Sequence, residues 1–307
     1  MMTEKKQYNY KDSLKSSDTE EFIDLIFYRP LGYLWALFFA KRGISPNVVS
    51  VLSIFLGVAA GVLFYFDNLK LNILGMFFLI WANTYDSTDG QLARMTKQFS
   101  PIGRVLDGVC GDIWFITIYT AICMRLAGEW QMFIWILGSL AGYWHVTQAA
   151  LADYYRNFHL HFLKGADQSE FSDAQTVKKQ YRQLRFEHDF MQKTFLFFYA
   201  RYTQRQENMT PCLQRLRATI VEVYPQGRVS DTFVKAFRKE SKPLMKYTNM
   251  LSFNTRVIAL FMSLAIDMPW LYFVFELTVL NLMLLYMYVK HEQMCTRFSH
   301  ELGKRRI

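Results

Sequence analysis

The chain has 307 residues, of which 52% are hydrophobic, 17% aromatic and 20% charged, with a formal net charge of +9. That apolar content lies at the upper edge for a soluble domain, so the charge must be segregated from the apolar runs. The positive excess comes with no nucleic-acid motif and is better explained by membrane topology and anionic headgroups, which excludes nucleic acid as a partner.

Residues 1–20 are polar and expected to be a mobile tail, with neither the apolar core nor the cleavage site of a signal peptide. Residues 21–44 are densely apolar but interrupted by Asp24, Arg29 and Pro30, which suits a helix lying along the membrane interface; a further buried span is the alternative. A membrane core follows over 45–152, with spans expected at Val48 to Phe66, Leu71 to Tyr85, Val109 to Met124 and Met132 to Leu151. Residues 153–246 are charged, aromatic and helical in pattern. They are expected to form a helical cytoplasmic insertion, within which the run FLFFYA is too short to cross a bilayer. Residues 247–290 supply spans at Tyr247 to Ile266 and Pro269 to Val289, and 291–307 form a basic tail.

The fold class is therefore all-α, a polytopic membrane protein with six transmembrane helices, an N-terminal interfacial helix and a helical insertion. The short loops after the odd-numbered spans carry few basic residues, among them Lys70 and Arg125, whereas the other segments are rich in them. Both termini and the stretch from Asp86 to Asp112 are expected on the cytoplasmic side, in a cell inner membrane or an ER-type membrane. Cys110, Cys123, Cys212 and Cys295 form no CxxC pair and imply neither disulfides nor zinc.

The stretch DSTDGQLARMTKQFSPIGRVLDGVCGD begins where the second span leaves the bilayer. Asp86 and Asp89 are three apart and share a helix face, and Asp107 approaches from the next helix. An uncompensated buried charge costs on the order of several kcal/mol. A hard divalent cation held by carboxylate oxygens removes that cost, so the three aspartates point to a Mg²⁺ or Mn²⁺ site, two ions in number, of the kind that handles phosphate esters. Gly90 and Gly103 leave bare backbone for a phosphate or base, Ala93 keeps the face thin, and Arg94 can clamp a phosphate oxygen.

With Asp86, Asp89, Gly90, Ala93, Arg94, Gly103 and Asp107 in place, the pattern DxxDGxxAR, eight residues, then GxxxD resembles that of the CDP-alcohol phosphotransferases, six-span membrane enzymes. The upstream SPN segment, with Ser45, Pro46, Asn47 and Ser50, is similar to the family's TPN segment. The resemblance covers roughly residues 20 to 155 and, more weakly, the last two expected spans. It implies transfer of a substituted phosphate from a CDP-linked lipid donor, usually CDP-diacylglycerol, to a small alcohol, with release of CMP. It also implies that Asp86, Asp89 and Asp107 ligate the metals and that Asp89, Gly90, Ala93 and Arg94 cradle the cytidine diphosphate. Gly103 and Asn47 would line the same nucleotide site, and a homodimer is an assembly the family admits.

The family's last aspartate, the base for the acceptor, falls here on Gly111, and Asp112 follows one residue late. A π turn near Gly108 and Gly111 would bring Asp112 back to the catalytic face beside Asp107. Otherwise Asp112 meets the acceptor from another side, or the protein binds nucleotide and metal without catalysis. Arg256 in the fifth span and Arg156 at the end of the fourth are candidates for holding the acceptor. Inositol or a polyol phosphate is the first expectation for that acceptor, while Arg256 snorkelling to the surface and Arg156 anchoring the topology are the plainer readings. His145, mid-span, reads as a satisfied buried histidine. A membrane scaffold with a degenerate site is the alternative from another class of function, and a transporter a weaker third.

Overall fold

The computed structural model describes residues 10–13, 18–164, 171, 173–225 and 229–304; within them, the side chains at 11–12, 101–102, 104–105, 107–108, 164 and 186–188 lie outside the described set. Every element among the described residues is helical. A 3₁₀ turn at Tyr10–Ser13 and a π turn at Asp24–Tyr28 precede α1 (Arg29–Lys41), α2 (Pro46–Tyr65), α3 (Leu69–Thr96), α4 (Pro101–Trp130) and α5 (Met132–Lys164). Then come α6 (Ala174–Gln183), α7 (Phe186–Met209), α8 (Pro211–Val223), α9 (Asp231–Ser241), a 3₁₀ turn at Lys242–Leu244 and α10 (Met245–Met250). The last are α11 (Phe253–Ala265), α12 (Trp270–Phe275), a π turn at Glu276–Leu280 and α13 (Asn281–Lys304).

Three helical runs among the described residues are long and apolar enough to cross a bilayer: Pro46–Tyr65, Val109–Trp130 and Trp270–Lys304. They coincide with the expected first, third and sixth spans. The expected second and fourth fall on α3 and α5, of 28 and 33 residues. The fifth is not one uninterrupted helix: Tyr247 to Ile266 is broken at Leu251 and Ser252 into α10 and α11. Arg256 explains why the break is tolerated, since its Nε and Nη2 donate to the Leu251 carbonyl at 3.2 and 3.1 Å and satisfy a group that the lost helical turn frees.

The chain divides into two compact units, Met1–Gly142 with Val257–Val274, and Tyr143–Arg256 with Phe275–Ile307. In the first, α2 packs closely on α4 because Gly57 and Gly61, four apart, leave room for the α4 side chains. A Cβ at Gly57 would sit 2.0 Å from the Trp114 ring and one at Gly61 2.7 Å from Thr117, the small-residue contact favoured where helices meet in lipid. Pro30 does not break this segment: residues 22–41 are helical throughout, and the π turn at Asp24–Tyr28 lies just ahead of the proline, which removes one N–H from the ladder. Trp35 and Phe39 of α1 meet Tyr85 of α3 at ring distances of 5.4 and 5.7 Å, while Phe22, Ile26 and Leu34 remain exposed. At the far ends of the helices Arg125 bridges Asp67 and Asp267 at 2.7 and 2.6 Å.

The second unit has a core of its own, in which Tyr155, Phe158 and Phe162 of α5 meet Leu213, Phe233, Phe237, Met287 and Phe298. α5 runs on to Lys164 without interruption, so the expected boundary at 153 lies inside a helix. Arg205 and Gln206 of α7 donate to Thr147 Oγ1 and the Ala150 carbonyl, both at 2.8 Å, and hold α7 against α5. α13 joins the same core through Glu292, which accepts from Tyr155 and from the Cys212 backbone.

Candidate functional site

The carboxylate site is built on the last third of α3. Asn68 caps the start of this helix by accepting from the Lys70 and Leu71 N–H groups, and Lys97, at φ 57°, ends it. Between them the helix continues well past the apolar run, which places Asp86 and Asp89 one turn apart on a regular helix. Asp86 is half-buried and Asp89 is buried at 3% exposure, accepting a hydrogen bond from Ser50 of α2. The serine four residues after Pro46 in the SPN segment therefore meets the second motif aspartate.

Gly103 and Asn47 have a structural reason for being together. Ser100 caps α4 by accepting from the Gly103 N–H at 2.8 Å and itself donates to Asn47 Oδ1 at 3.1 Å. A Cβ at Gly103 would lie 2.7 Å from Asn47 Oδ1, so only glycine allows the starts of α2 and α4 to meet there. Gly90 serves Arg94, whose Nη1 would lie 3.3 Å from a Cβ at that position. The Arg94 Nε donates at 2.7 Å to the carbonyl of Ser13, a buried residue of the N-terminal segment that the sequence suggested was a mobile tail. Ala93 is half-buried beside it.

α4 is α-helical from Pro101 to Trp130, and no π turn interrupts it near Gly111. Along α4, Gly103, Cys110, Trp114 and Thr117 face α2: Cys110 contacts Ser53 and the Ser50 carbonyl, and Trp114 and Thr117 lie against Gly57 and Gly61. At ~100° per residue, position 107 falls in the register of this stripe and position 112 about 180° from its centre. The side chain of Asp107 lies outside the described residues, while Asp112 is exposed. Gly111 has open space around the place where a Cβ would stand. The π turn that would rescue Asp112 is thus absent, because the residues before it already satisfy a regular helix packed on α2.

Among the described residues no group of three or more His, Cys, Asp and Glu is placed to hold a metal, a set to which the Asp107 side chain does not belong. The donor chemistry fits a hard divalent cation nonetheless, since Asp86 and Asp89 offer carboxylate oxygens from adjacent turns and α4 encodes a third.

Four residues of the setting were missed by sequence reasoning. Arg29 donates to Ser87 at 3.1 Å and pairs with Glu20 at 2.8 Å, while Gln91, fully buried, donates to the Arg29 carbonyl at 3.1 Å. Arg29 was legible only as an interruption in an apolar run. In the structure it fastens the start of α1 to α3.

The two acceptor candidates lie in the second unit. Arg256 is 1% exposed, pairs with Glu276, and donates to Gln148 Oε1 at 2.7 Å as well as to the Leu251 carbonyl; His145 Nδ1 lies 3.1 Å from its Nη1. Its guanidinium is committed to this buried cluster, which accounts equally for His145. Glu276 went unread, although a lone Glu in WLYFVFELTVL one span after a buried Arg is the signal that would have found it. Arg156 donates to Asn249 at 3.2 Å and Ser252 at 2.5 Å.

These features define an all-helical integral membrane protein whose carboxylates gather at the end of one long helix, beside a glycine-dependent junction of two others. Residues 43–159 match the family model described as CDP-alcohol phosphatidyltransferase, a window that opens just before Ser45 and closes at His159. The chain is also similar to a protein of Dictyostelium discoideum named "Uncharacterized CDP-alcohol phosphatidyltransferase class-I family protein 2", with 26% identity over 110 residues. That match covers 33% of this chain and 27% of the relative, so the chain spans about a quarter of the relative's length.

Proposed function

We propose that the protein is a membrane phosphotransferase that moves a phosphatidyl group from a CDP-linked donor, CDP-diacylglycerol first among them, to an alcohol. The observation that carries this reading is the set Asp86, Asp89, Gly90, Ala93, Arg94, Gly103 and Asp107 at family spacing, inside the matched window, on two helices that both pack on α2. Asp86, Asp89 and Asp107 would hold two Mg²⁺ or Mn²⁺ ions, whose chemistry would be to spread the charge that builds on the pyrophosphate. Ser50 orients the Asp89 carboxylate. Gly90 and Ala93 keep the helix face low enough for the nucleotide to approach, and Arg94, lying across Gly90, recognises a phosphate oxygen once the Ser13 carbonyl gives way.

The acceptor oxygen attacks the phosphorus that carries the lipid. A new P–O ester bond forms, the P–O bond to CMP breaks, and the hydroxyl proton passes to a carboxylate of the α3 and α4 face, for which Asp107 is the candidate. Asp112, on the opposite side of α4, is left out of that face. Inositol and polyol phosphates were favoured on the strength of Arg256 and Arg156. With Arg256 engaged elsewhere, the acceptor is proposed only as an alcohol, and those two head the panel to be tried. The distribution of Lys and Arg supports a site on the cytoplasmic side.

The regular helix through Gly111 favours a second reading, a nucleotide- and metal-binding scaffold that lost its base. Labelled CMP release from the purified protein, with Mg²⁺ or Mn²⁺, CDP-diacylglycerol and a panel of alcohols, separates the two. Turnover with one alcohol, kept in Asp112→Asn, supports the enzyme. No turnover in the native chain but release from Gly111→Asp, a substitution for which the structure has room, supports the scaffold.

A further inference from the structure

The N-terminal turn at Tyr10–Ser13 packs on α3 and meets the aspartate motif at its arginine. The Arg94 Nε donates at 2.7 Å to the Ser13 carbonyl, and Ser13 is fully buried. The same guanidinium lies over Gly90, where its Nη1 would be 3.3 Å from a Cβ. Positions 86, 90 and 94 succeed one another along one face of α3, so the contact falls at the edge of the carboxylate site.

What holds the turn itself is small. It is four residues long, its Ser13 hydroxyl donates to the Tyr10 carbonyl at 2.7 Å, and the Tyr10 ring meets Tyr33 of α1 edge-on at 5.2 Å. A short 3₁₀ turn with so little apolar contact belongs to the low-stability end of a fold. The chain that follows is seated more firmly. Asp18 and Thr19 are buried, and Glu20, with its side chain 3% exposed, pairs with Arg29, which also donates to Ser87 of α3. The turn is therefore tethered: were it to lift from Arg94, the anchored residues would keep it close enough to return.

The bond to Ser13 is one that a phosphate would replace. Arg94 Nε carries a single hydrogen, so the carbonyl and a phosphate oxygen compete for it. The carbonyl is a neutral acceptor, whereas a bond from a guanidinium to a charged phosphate oxygen is about twice as strong. We propose that residues 10–13 are an autoinhibitory strap, closed on Arg94 in the absence of nucleotide and displaced by the diphosphate of the incoming donor. The inference rests on the reading of Arg94 as a phosphate contact and adds to it that donor binding exposes Ser13.

The test reads access to position 13 in the full chain in detergent. Ser13→Cys is combined with Cys212→Ser, since Cys110, Cys123 and Cys295 are buried, and maleimide labelling at position 13 is timed with and without CDP and Mg²⁺. Equilibrium dialysis of radiolabelled CDP runs beside it. CDP should speed labelling about fivefold or more, and Arg94→Gln should do the same without nucleotide. Tyr10→Ala, which removes the ring contact, should tighten CDP binding about threefold, because a site closed part of the time binds with an affinity reduced by that fraction. If the cysteine variant is not monodisperse, hydrogen exchange in a peptide covering residues 10–13 of the native chain takes its place, and CDP should raise it. Bound CDP that leaves labelling or exchange unchanged, or lowers it, overturns the proposal and makes Ser13 a fixed support that orients Arg94. Weaker CDP binding by Tyr10→Ala does so too. Absence of CDP binding in both the native and Tyr10→Ala chains overturns the transferase reading and the strap with it, so the dialysis tells the two failures apart.

Discussion

Two buried carboxylates in this protein have been given opposite company. Glu276 is set against Arg256, with His145 and Gln148 completing a closed cluster in which opposite charges cancel. Asp89 is set one turn from another carboxylate, Asp86, with a serine hydroxyl among its partners. Aspartates three apart on a helix repel, by a few tenths of a kcal/mol when exposed and by more when buried. A cluster of opposite charges can be explained by folding alone. A cluster of like charges at the end of a long helix has no such account from folding, which is why a divalent cation is proposed for it.

Substitutions should therefore act on the two regions in opposite ways, and the largest effect is expected at the motif. Asp89→Asn should reduce CMP release at least a thousandfold and remove its dependence on divalent metal, while thermal stability in detergent stays level or rises as repulsion is relieved. A clear loss of stability instead would make Asp89 a structural residue like Glu276. Next, Glu276→Gln should cost about 3 to 5 kcal/mol of stability by leaving Arg256 buried without its counter-ion. Combining Arg256→Met with Glu276→Leu should recover most of that, read as a double-mutant cycle of unfolding midpoints. Turnover per folded molecule should change little, and a selective loss of acceptor use would return Arg256 to the active site.

Gly103→Ala should cost about 1 to 3 kcal/mol by forcing its methyl group onto Asn47, and adding Asn47→Ala should relieve part of this. No relief would mean that the two helix starts meet in another way. The smallest effect is expected at the cap of α6. Asp173 caps α6 through the Thr176 N–H and hydroxyl at 2.8 and 2.7 Å. Partial burial pushes its carboxyl up, but these bonds and the Arg217 charge outweigh it and hold it below the usual carboxylate range. A depressed carboxyl stabilises the fold above its unfolded pKa and loses that contribution as pH falls through the folded value. Hydrogen exchange in α6 should thus be unaffected near neutrality and rise below about pH 4. Asp173→Ala should abolish this pH dependence.

The division between what was readable and what was not follows the same line. The motif aspartates were legible because their chemistry requires fixed spacing on one helix, which sequence records directly. Glu276 was not, because its meaning comes from Arg256, twenty residues earlier and on another helix. Arg29 was misread for a similar reason: its partners Glu20 and Ser87 lie on either side of it in the chain, and only folding brings them to one guanidinium.

Sequence by itself determined an all-helical membrane protein, the family resemblance, and the residues that gather negative charge at the end of α3. Apolar length and helical spacing are local quantities, so they survive translation into structure nearly unchanged. Tertiary structure decided that the expected fifth span is two helices, that Arg256 is spent on a buried ion pair, and that Asp112 points away from the stripe of α4 that meets α2. Each of these depends on which neighbour fills a given face of a helix. The regular turn at Gly111 and the glycine contacts that bring α2 and α4 together fix those neighbours, and with them which carboxylates can share a substrate.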